Sequence, residues 1–383
     1  MSADRLAQLQ QALEERAAQQ LLRRPVTLQH YNGRLLTVAG SSFINFSGND
    51  YLGIATEPQV LQAFADGAMQ FGAGSSGSPL VTGQHAVHQQ LCDSLCHWLD
   101  VERVLLFSSG FAANQAMLLT LSSKNDSLLL DKLSHASLID AARHSDATLK
   151  RFAHNDQTAL HTLLSQAQQP MVVTEGVFSM DGDSPDLPAM LKLCQQFNAP
   201  LLLDDAHGLG VLGPEGIGTA AAQGVKPGDL YCTMANFGKA LGVGGAFLAG
   251  SKTVIDYIEQ FGRHYIYSTA LPPALCAAVI KSIELCRSQN WRREKLHSNI
   301  ALFRALAADL PVLPSDTAIQ GLLLGSSERA VAASAQLKQA GIWLSAIRPP
   351  TVPQGSARLR ITLSAQHTEQ DIRQLVQQLR QLV

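Results

Sequence analysis

An α/β fold, with a mostly parallel sheet between helices and a smaller C-terminal α+β domain, is what three features of this 383-residue sequence predict. Between about residues 57 and 250, short apolar runs alternate with segments of helical period, as in a sheet covered on both faces. After about residue 290 the pattern changes to helix, strand, helix and then two strands and a closing helix. The composition, 46% hydrophobic and 16% charged, is enough to bury a large core in more than one domain.

Taken in order, residues 4–22 read as a mostly polar amphipathic helix with Leu6, Leu9 and Leu13 on one face. Strands at 34–38 and 43–46 flank a Gly40-Ser41-Ser42 turn. The apolar runs at 104–107, 127–130, 171–174, 201–203 and 246–249 are strands, and 84–99, 112–121 and 186–197 have helical period. Leu271-Pro272-Pro273 opens a long helical region, since proline suits the first helical turn. The last part reads helix 293–309, strand 318–324, helix 328–340, strands 343–347 and 357–363, and helix 367–382. The domains follow as a helix and β-rich lead-in at 1–45, a large ligand-binding domain at 46–285 and a small domain at 286–383.

A net charge of −2 gives no electrostatic reason to expect nucleic acid or a membrane surface as partner. The basic clusters Arg23-Arg24 and Arg292-Arg293-Glu294-Lys295 are short or mixed, and no apolar run nears the ~20 residues of a membrane helix. Met1-Ser2-Ala3-Asp4-Arg5 lacks the apolar core of a secretory signal, and six scattered cysteines read as reduced thiols in a cytoplasmic protein. Cys92 and Cys96 share an amphipathic helix with Leu91, Leu95, Trp98 and Leu99, and no second pair completes a zinc tetrahedron, so no metal is expected.

The chemistry concentrates in two stretches. Lys239 sits among small residues in Asn236-Phe237-Gly238-Lys239-Ala240-Leu241-Gly242, where a ligand can approach its amine closely. Partial desolvation there makes a lysine a Schiff-base former. About thirty residues upstream, the apolar run Leu201-Leu202-Leu203 ends in Asp204-Asp205-Ala206-His207. A carboxylate at a strand's carboxyl end is what a pyridinium nitrogen needs as partner, so the pair points to pyridoxal 5'-phosphate. Phe107-Ser108-Ser109-Gly110-Phe111 runs from strand into helix, placing amides at a helix N-terminus suited to phosphate. His135, Glu175 and Ser179 also follow strands, whereas His144, His154, His161, His297 and His367 read as structural or surface residues. Arg358 and Arg360 share one strand face, one suited to an amino-acid carboxylate and the other to an ion pair. Two G-x-G-x-x-G matches, at 72–77 and 208–213, lack the strand–turn–helix context of a dinucleotide site, which argues against a dehydrogenase.

Together, Phe46-Ser47-Gly48-Asn49-Asp50-Tyr51-Leu52-Gly53, Ser109-Gly110-Phe111-Ala112-Ala113-Asn114, Leu133-Ser134-His135-Ala136-Ser137, Thr174-Glu175-Gly176-Val177-Phe178-Ser179-Met180-Asp181-Gly182-Asp183, Asp204-Asp205-Ala206-His207-Gly208 and Phe237-Gly238-Lys239 resemble the α-oxoamine synthases, fold-type I pyridoxal-phosphate transferases. Ile347-Arg348-Pro349-Pro350-Thr351-Val352-Pro353 resembles the biotin branch rather than the glycine-using branches, 5-aminolevulinate synthase and 2-amino-3-ketobutyrate ligase. The resemblance implies a decarboxylative condensation of L-alanine with a pimeloyl thioester of coenzyme A or acyl carrier protein. It implies Lys239 as cofactor anchor and acid–base group, Asp204 at the ring nitrogen, and His207 and Ser179 at the phenolic oxygen. His135 would stack on the ring, with Ser109, Gly110 and Phe111 at the cofactor and its phosphate. Thr269 would reach a neighbouring subunit's phosphate, giving a homodimer with shared sites. Asn49 and Arg360 would hold the amino-acid carboxylate, and Arg23, or Arg24, and Thr351 the acyl donor. Asn236 stands where the family usually has a phosphate-binding threonine. Either its amide donates instead, or Thr233 takes over across a strand bulge.

Overall fold

The computed structural model describes residues 3–19 and 21–382, so Gln20, inside the expected first helix, lies outside the described residues. Fourteen strands are present among the described residues. In chain order they are β1 (His30–Tyr31), β2 (Leu35–Val38), β3 (Ser41–Asn45), β4 (Arg103–Phe107), β5 (Ser127–Asp131), β6 (Thr148–Phe152) and β7 (Pro170–Glu175). They continue as β8 (Leu201–Asp204), β9 (Cys232–Asn236), β10 (Ala246–Gly250), β11 (Ile319–Gly325), β12 (Ile342–Trp343), β13 (Ser345–Ile347) and β14 (Ala357–Thr362). The chain divides into two compact units, one of residues 49–179 and 183–295, the other of residues 1–48, 180–182 and 296–383.

The larger unit is built on a seven-stranded sheet of order β4-β10-β9-β8-β7-β5-β6. All neighbours pair in parallel except β10, which runs antiparallel to both β4 and β9. The expected apolar runs form its interior because successive residues face opposite layers. Leu128, Leu130 and Leu202 join one buried cluster, while Leu129, Leu201 and Leu203 join another on the far face. Two strands escape the apolar reading. Edge strand β6 carries Thr148, Lys150 and Arg151 toward solvent or partial burial, so only its paired backbone marks it. Strand β9 ends in the polar Asn236 yet is largely buried between β8 and β10. Since β10 reverses direction on both sides, β4, β5, β7, β8 and β9 all end at one edge of the sheet.

In the smaller unit one sheet has the order β1-β2-β3-β12 and the other β11-β14-β13. The single strand expected at 343–347 is two strands broken at buried Leu344. Ile342 and Trp343 pair in parallel with Ile44 and Asn45, whereas Ser345–Ile347 pairs antiparallel with Arg358–Arg360 of β14. The Ser47 hydroxyl accepts from the Ser345 amide at 2.9 Å, which satisfies the backbone where the chain changes sheets. This β3–β12 pairing places the lead-in segment in one unit with residues 296–383. The first helix spans Ala3–Ala18 and stops short of 22, with Leu6, Leu9 and Leu13 about half exposed.

The lead-in is also tied to the closing helix Glu369–Leu379 by two hydrogen bonds of 2.7 Å from the Arg34 guanidinium to Asp371. Burial pushes the Asp371 carboxyl up, but the bonds and charge of Arg34 and the Thr368 contacts hold it below its ordinary value. We therefore expect R34A to cost about 2 kcal/mol in urea denaturation at pH 7. A lowered carboxyl stabilises above its unfolded value near 3.8 and loses that stabilisation on acidification, so the R34A deficit shrinks below about pH 4.

Candidate active site

The carboxyl ends of the parallel strands open on a cavity of about 200 Å3 in the larger unit. Its lining includes Gly110, Phe111, His135, Glu175, Asp204, His207, Asn236 and Lys239, so eight of the residues singled out from sequence meet there. Each arrives from a strand end or the turn behind it: Gly110 after β4, His135 after β5, Asp204 and His207 at and after β8, and Asn236 and Lys239 at and after β9.

Asp204 is 5% exposed, and its carboxylate accepts from the Ala206 amide at 3.1 Å and from Asn114 Nδ2 at 2.8 Å. Asn114 sits on the helix Gly110–Leu121 and donates its other N–H to the Ser137 hydroxyl at 2.9 Å. His135 Nδ1 accepts from the Ser137 amide at 3.2 Å and faces the Ser137 hydroxyl at 2.8 Å. His135 thus presents its ring to the cavity with Nδ1 already engaged. Although the ring is exposed at the cavity mouth, desolvation by its surroundings lowers its pKa, Lys239 adds to this and Asp204 opposes it. Glu175 ends β7 beside Asp204, takes the His135 amide, and is pushed well above the ordinary carboxyl range by burial and then by Asp204.

On the other wall, Lys239 is half-buried with Nζ 2.9 Å from His207 Nε2. His207 Nδ1 lies 2.6 Å from the buried Tyr51 hydroxyl, which donates to Asn49 Oδ1 at 3.3 Å. Tyr51, Asn114 and Ser137 lay inside quoted motifs but drew no role from sequence, because nothing linear links Tyr51 to a histidine 156 residues away.

At the phosphate end, Ser109 caps the helix, its hydroxyl accepting from the Ala112 amide at 3.2 Å. That leaves the Gly110 and Phe111 amides at the helix's open N-terminal end. Asn236 faces the cavity and its Oδ1 accepts from the Gly238 amide at 3.2 Å, which turns Nδ2 toward other acceptors. Thr233 is not available there. β9 pairs with β10 without a register shift from Asn236↔Ala246 to Cys232↔Gly250, so no bulge rotates it. Thr233 instead lines a small space with Leu203, Asp205 and Phe247 on the sheet's other face. Ser179 and exposed Thr269 lie outside the cavity lining.

The smaller unit holds the remaining candidates. Arg23 Nη2 donates to the Thr351 hydroxyl at 3.0 Å, which brings the two acyl-donor candidates together. Arg358 pairs with Asp181 at 2.6 Å, and Arg360, 8% exposed, donates to the Thr362 hydroxyl at 3.2 Å.

The donor set fits pyridoxal phosphate: an amine and a carboxylate in one cavity, an imidazole at its mouth, and helix amides at one end. The fold and this site define a fold-type I pyridoxal-phosphate enzyme. The chain matches the family described as aminotransferase class I and II over residues 41–379. It is 49% identical over 378 residues to 8-amino-7-oxononanoate synthase of Vibrio cholerae, covering 98% of this chain and 97% of that one. Its fold is similar to serine palmitoyltransferase from S. paucimobilis with bound PLP, with TM-score 0.93, 26% identity and 98% of each chain covered. It is also similar to 8-amino-7-oxononanoate synthase from Francisella tularensis, with TM-score 0.78, 31% identity, and 88% of this chain and 97% of that one covered. The chain belongs to the 8-amino-7-oxononanoate synthase family, within the class I and II aminotransferases. It is a pyridoxal-phosphate-dependent, acyl-transferring enzyme.

Behind the cavity, His154 lies between two carboxylates, with Nδ1 2.9 Å from Asp131 and Nε2 2.8 Å from Asp183. Burial opposes its charge, but the hydrogen bonds and charges of Asp131 and Asp183 raise its pKa to about 10. A raised histidine stabilises fully below its unfolded value near 6.5 and loses this as pH climbs through about 10. H154Q should therefore melt well below the parent protein at pH 6, with the gap narrowing toward pH 10.

Proposed function

We propose that the enzyme condenses L-alanine with a pimeloyl thioester of coenzyme A or acyl carrier protein, releasing carbon dioxide and thiol and forming 8-amino-7-oxononanoate for biotin synthesis. The observation that carries this reading is the Lys239 amine sharing one cavity with the buried Asp204 carboxylate. When bound, pyridoxal phosphate supplies the electron sink that makes the amino acid's α C–H acidic. Lys239 would hold that group through Nζ, and its amine would take the α-proton from the amino acid and return one to the same carbon. Asp204 accepts from the ring N–H, its two other donors fixing the carboxylate's orientation. His207 and Ser179 hydrogen-bond the phenolic oxygen, and His135 covers the ring face and excludes water.

The Gly110 and Phe111 amides, with the Asn236 amide in place of a hydroxyl, hold the phosphate. Thr269 of a second copy completes the phosphate site, which makes the working form a homodimer. Asn49 orients the amino acid's carboxylate, a role that Arg360 also suits through its paired N–H groups. Arg23 and Thr351 receive the acyl donor. Among the described residues no helix is long and apolar enough to cross a membrane, and six free thiols fit a reducing cytoplasm.

The test is to mix the purified holoenzyme with L-alanine or glycine, add pimeloyl-CoA or pimeloyl carrier protein, and follow visible absorption and product mass. A response to L-alanine with formation of the amino-oxo acid supports the reading. Preference for glycine with silence toward pimeloyl donors transfers the chain to a sibling reaction. K239A should keep its fold by circular dichroism and lose more than ~1000-fold in turnover, as expected when the acid–base group is removed. R360A should mainly raise KM for L-alanine, by about tenfold or more, since a charged hydrogen bond to substrate is lost.

A further inference from the structure

His88 lies outside the lining of the active-site cavity, in the first turn of the helix Ala86–Leu99 of the larger unit, and is 1% exposed. Its Nδ1 accepts from the His85 amide at 3.0 Å, and its Nε2 lies 2.6 Å from the Leu271 carbonyl. An amide offers only a proton and a carbonyl only lone pairs, so both contacts require the proton on Nε2. Burial lowers the His88 pKa, which keeps the ring neutral in that form. Buried Ser75 donates to the same carbonyl at 2.6 Å, so two side chains satisfy one backbone oxygen. The next two residues, Pro272 and Pro273, have no N–H of their own to offer it.

These bonds fix the bend on which Thr269 stands. Ahead of it, the Ser268 hydroxyl donates to the His264 carbonyl at 2.6 Å. Behind it, the Ala270 amide donates to the Gly77 carbonyl at 2.9 Å. The two segments meet over Gly83, where a Cβ would lie 2.2 Å from the Gly77 oxygen and 2.9 Å from the Ala270 Cβ. Ala270 and Leu271 are buried, whereas Thr269 is exposed. A hydroxyl displayed on backbone already held from both sides loses little further freedom when it engages a ligand.

We propose that His88 is a positioning residue for cofactor binding: with Ser75 it pins the Leu271 carbonyl and so sets the Thr269 hydroxyl to meet the phosphate of pyridoxal phosphate held by a second copy. This rests on the role of Thr269 given under Proposed function. His88, Ser75 and Leu271 lie outside the cavity lining, so loss of either donor reaches the cofactor through the bend that carries Thr269.

The experiment titrates full-length H88L, S75A, T269A and H88L/T269A with pyridoxal phosphate and, separately, with pyridoxal, which lacks the phosphate. H88L should bind pyridoxal phosphate about tenfold more weakly, with pyridoxal changed less than about threefold. Adding H88L to T269A should weaken pyridoxal phosphate no further, because both act through one contact. H88Q, whose side-chain amide can donate to the Leu271 carbonyl, should recover most of the loss. Hydrogen exchange of the Ala270 amide should quicken about tenfold in H88L, a reading of the bend that needs no cofactor. The proposal is overturned if H88L weakens both ligands alike or neither, or if it weakens T269A by its full amount. If H88L does not fold, S75A, which removes only the other donor to the same carbonyl, decides by the same criteria. A loss in T269A without a loss in H88L sinks the role of His88 alone. Unchanged affinity in T269A removes the phosphate role of Thr269, and the proposal falls with it.

Discussion

The register of β7 against β8 sets Glu175 beside Asp204, so two carboxyl groups share the buried end of one parallel ladder. An uncompensated buried charge costs several kcal/mol, whereas a hydrogen bond to a charged group returns about 1.5–3 kcal/mol. The surroundings of the pair follow from that imbalance. Asn114 and the Ala206 amide are spent on Asp204, the His135 amide on Glu175, and the Lys239 amine stands in the same cavity. Burial and the neighbouring charge hold Glu175 toward its neutral form.

A second layer of buried polar groups keeps the turns in place. Asp205, next in sequence to Asp204, points to the other face, where its carboxylate takes the Thr219 amide at 2.8 Å and hydroxyl at 2.6 Å. Burial and Asp204 raise it to about 7 while the Thr219 bonds pull it down, so it sits where its own charge is only half tolerated. The loop from Gly208 to Thr219 is thereby tied to the strand that carries Asp204. His154 does the same behind β5, joining Asp131 to Asp183. It is one of the histidines read as structural or surface residues, and its partners lie 23 and 29 residues away in sequence, where no local pattern shows them. Such groups stabilise less than an apolar core of equal volume would, but they hold one conformation of the ligand-facing turns.

Much of the fold was legible because its signals are local. The buried strands β5, β7, β8 and β10 are apolar runs bounded by turn residues, and the helix after Ser109 announces itself through its cap. What escaped has a common cause. β6 is an edge strand whose polar residues hide its pairing, and β12 and β13 read as one strand because the break at Leu344 depends on two different partners. The choice between Asn236 and Thr233 was open in sequence for the same reason: a one-residue change of register exchanges the faces of a strand, and only the pairing with β10 fixes that register.

By itself the sequence determined which chemical groups the protein owns and at which strand ends they stand, since residue type and hydrophobic period are written locally. Lysine among glycines, aspartate after an apolar run and amides at a helix start were readable without any neighbour. Only the tertiary structure decided which groups face one another. The contacts of Lys239 with His207 and of His207 with Tyr51 join residues 32 and 156 positions apart in sequence. Hydrogen bonds are directional and short-ranged, so their partners are a property of packing and not of order along the chain.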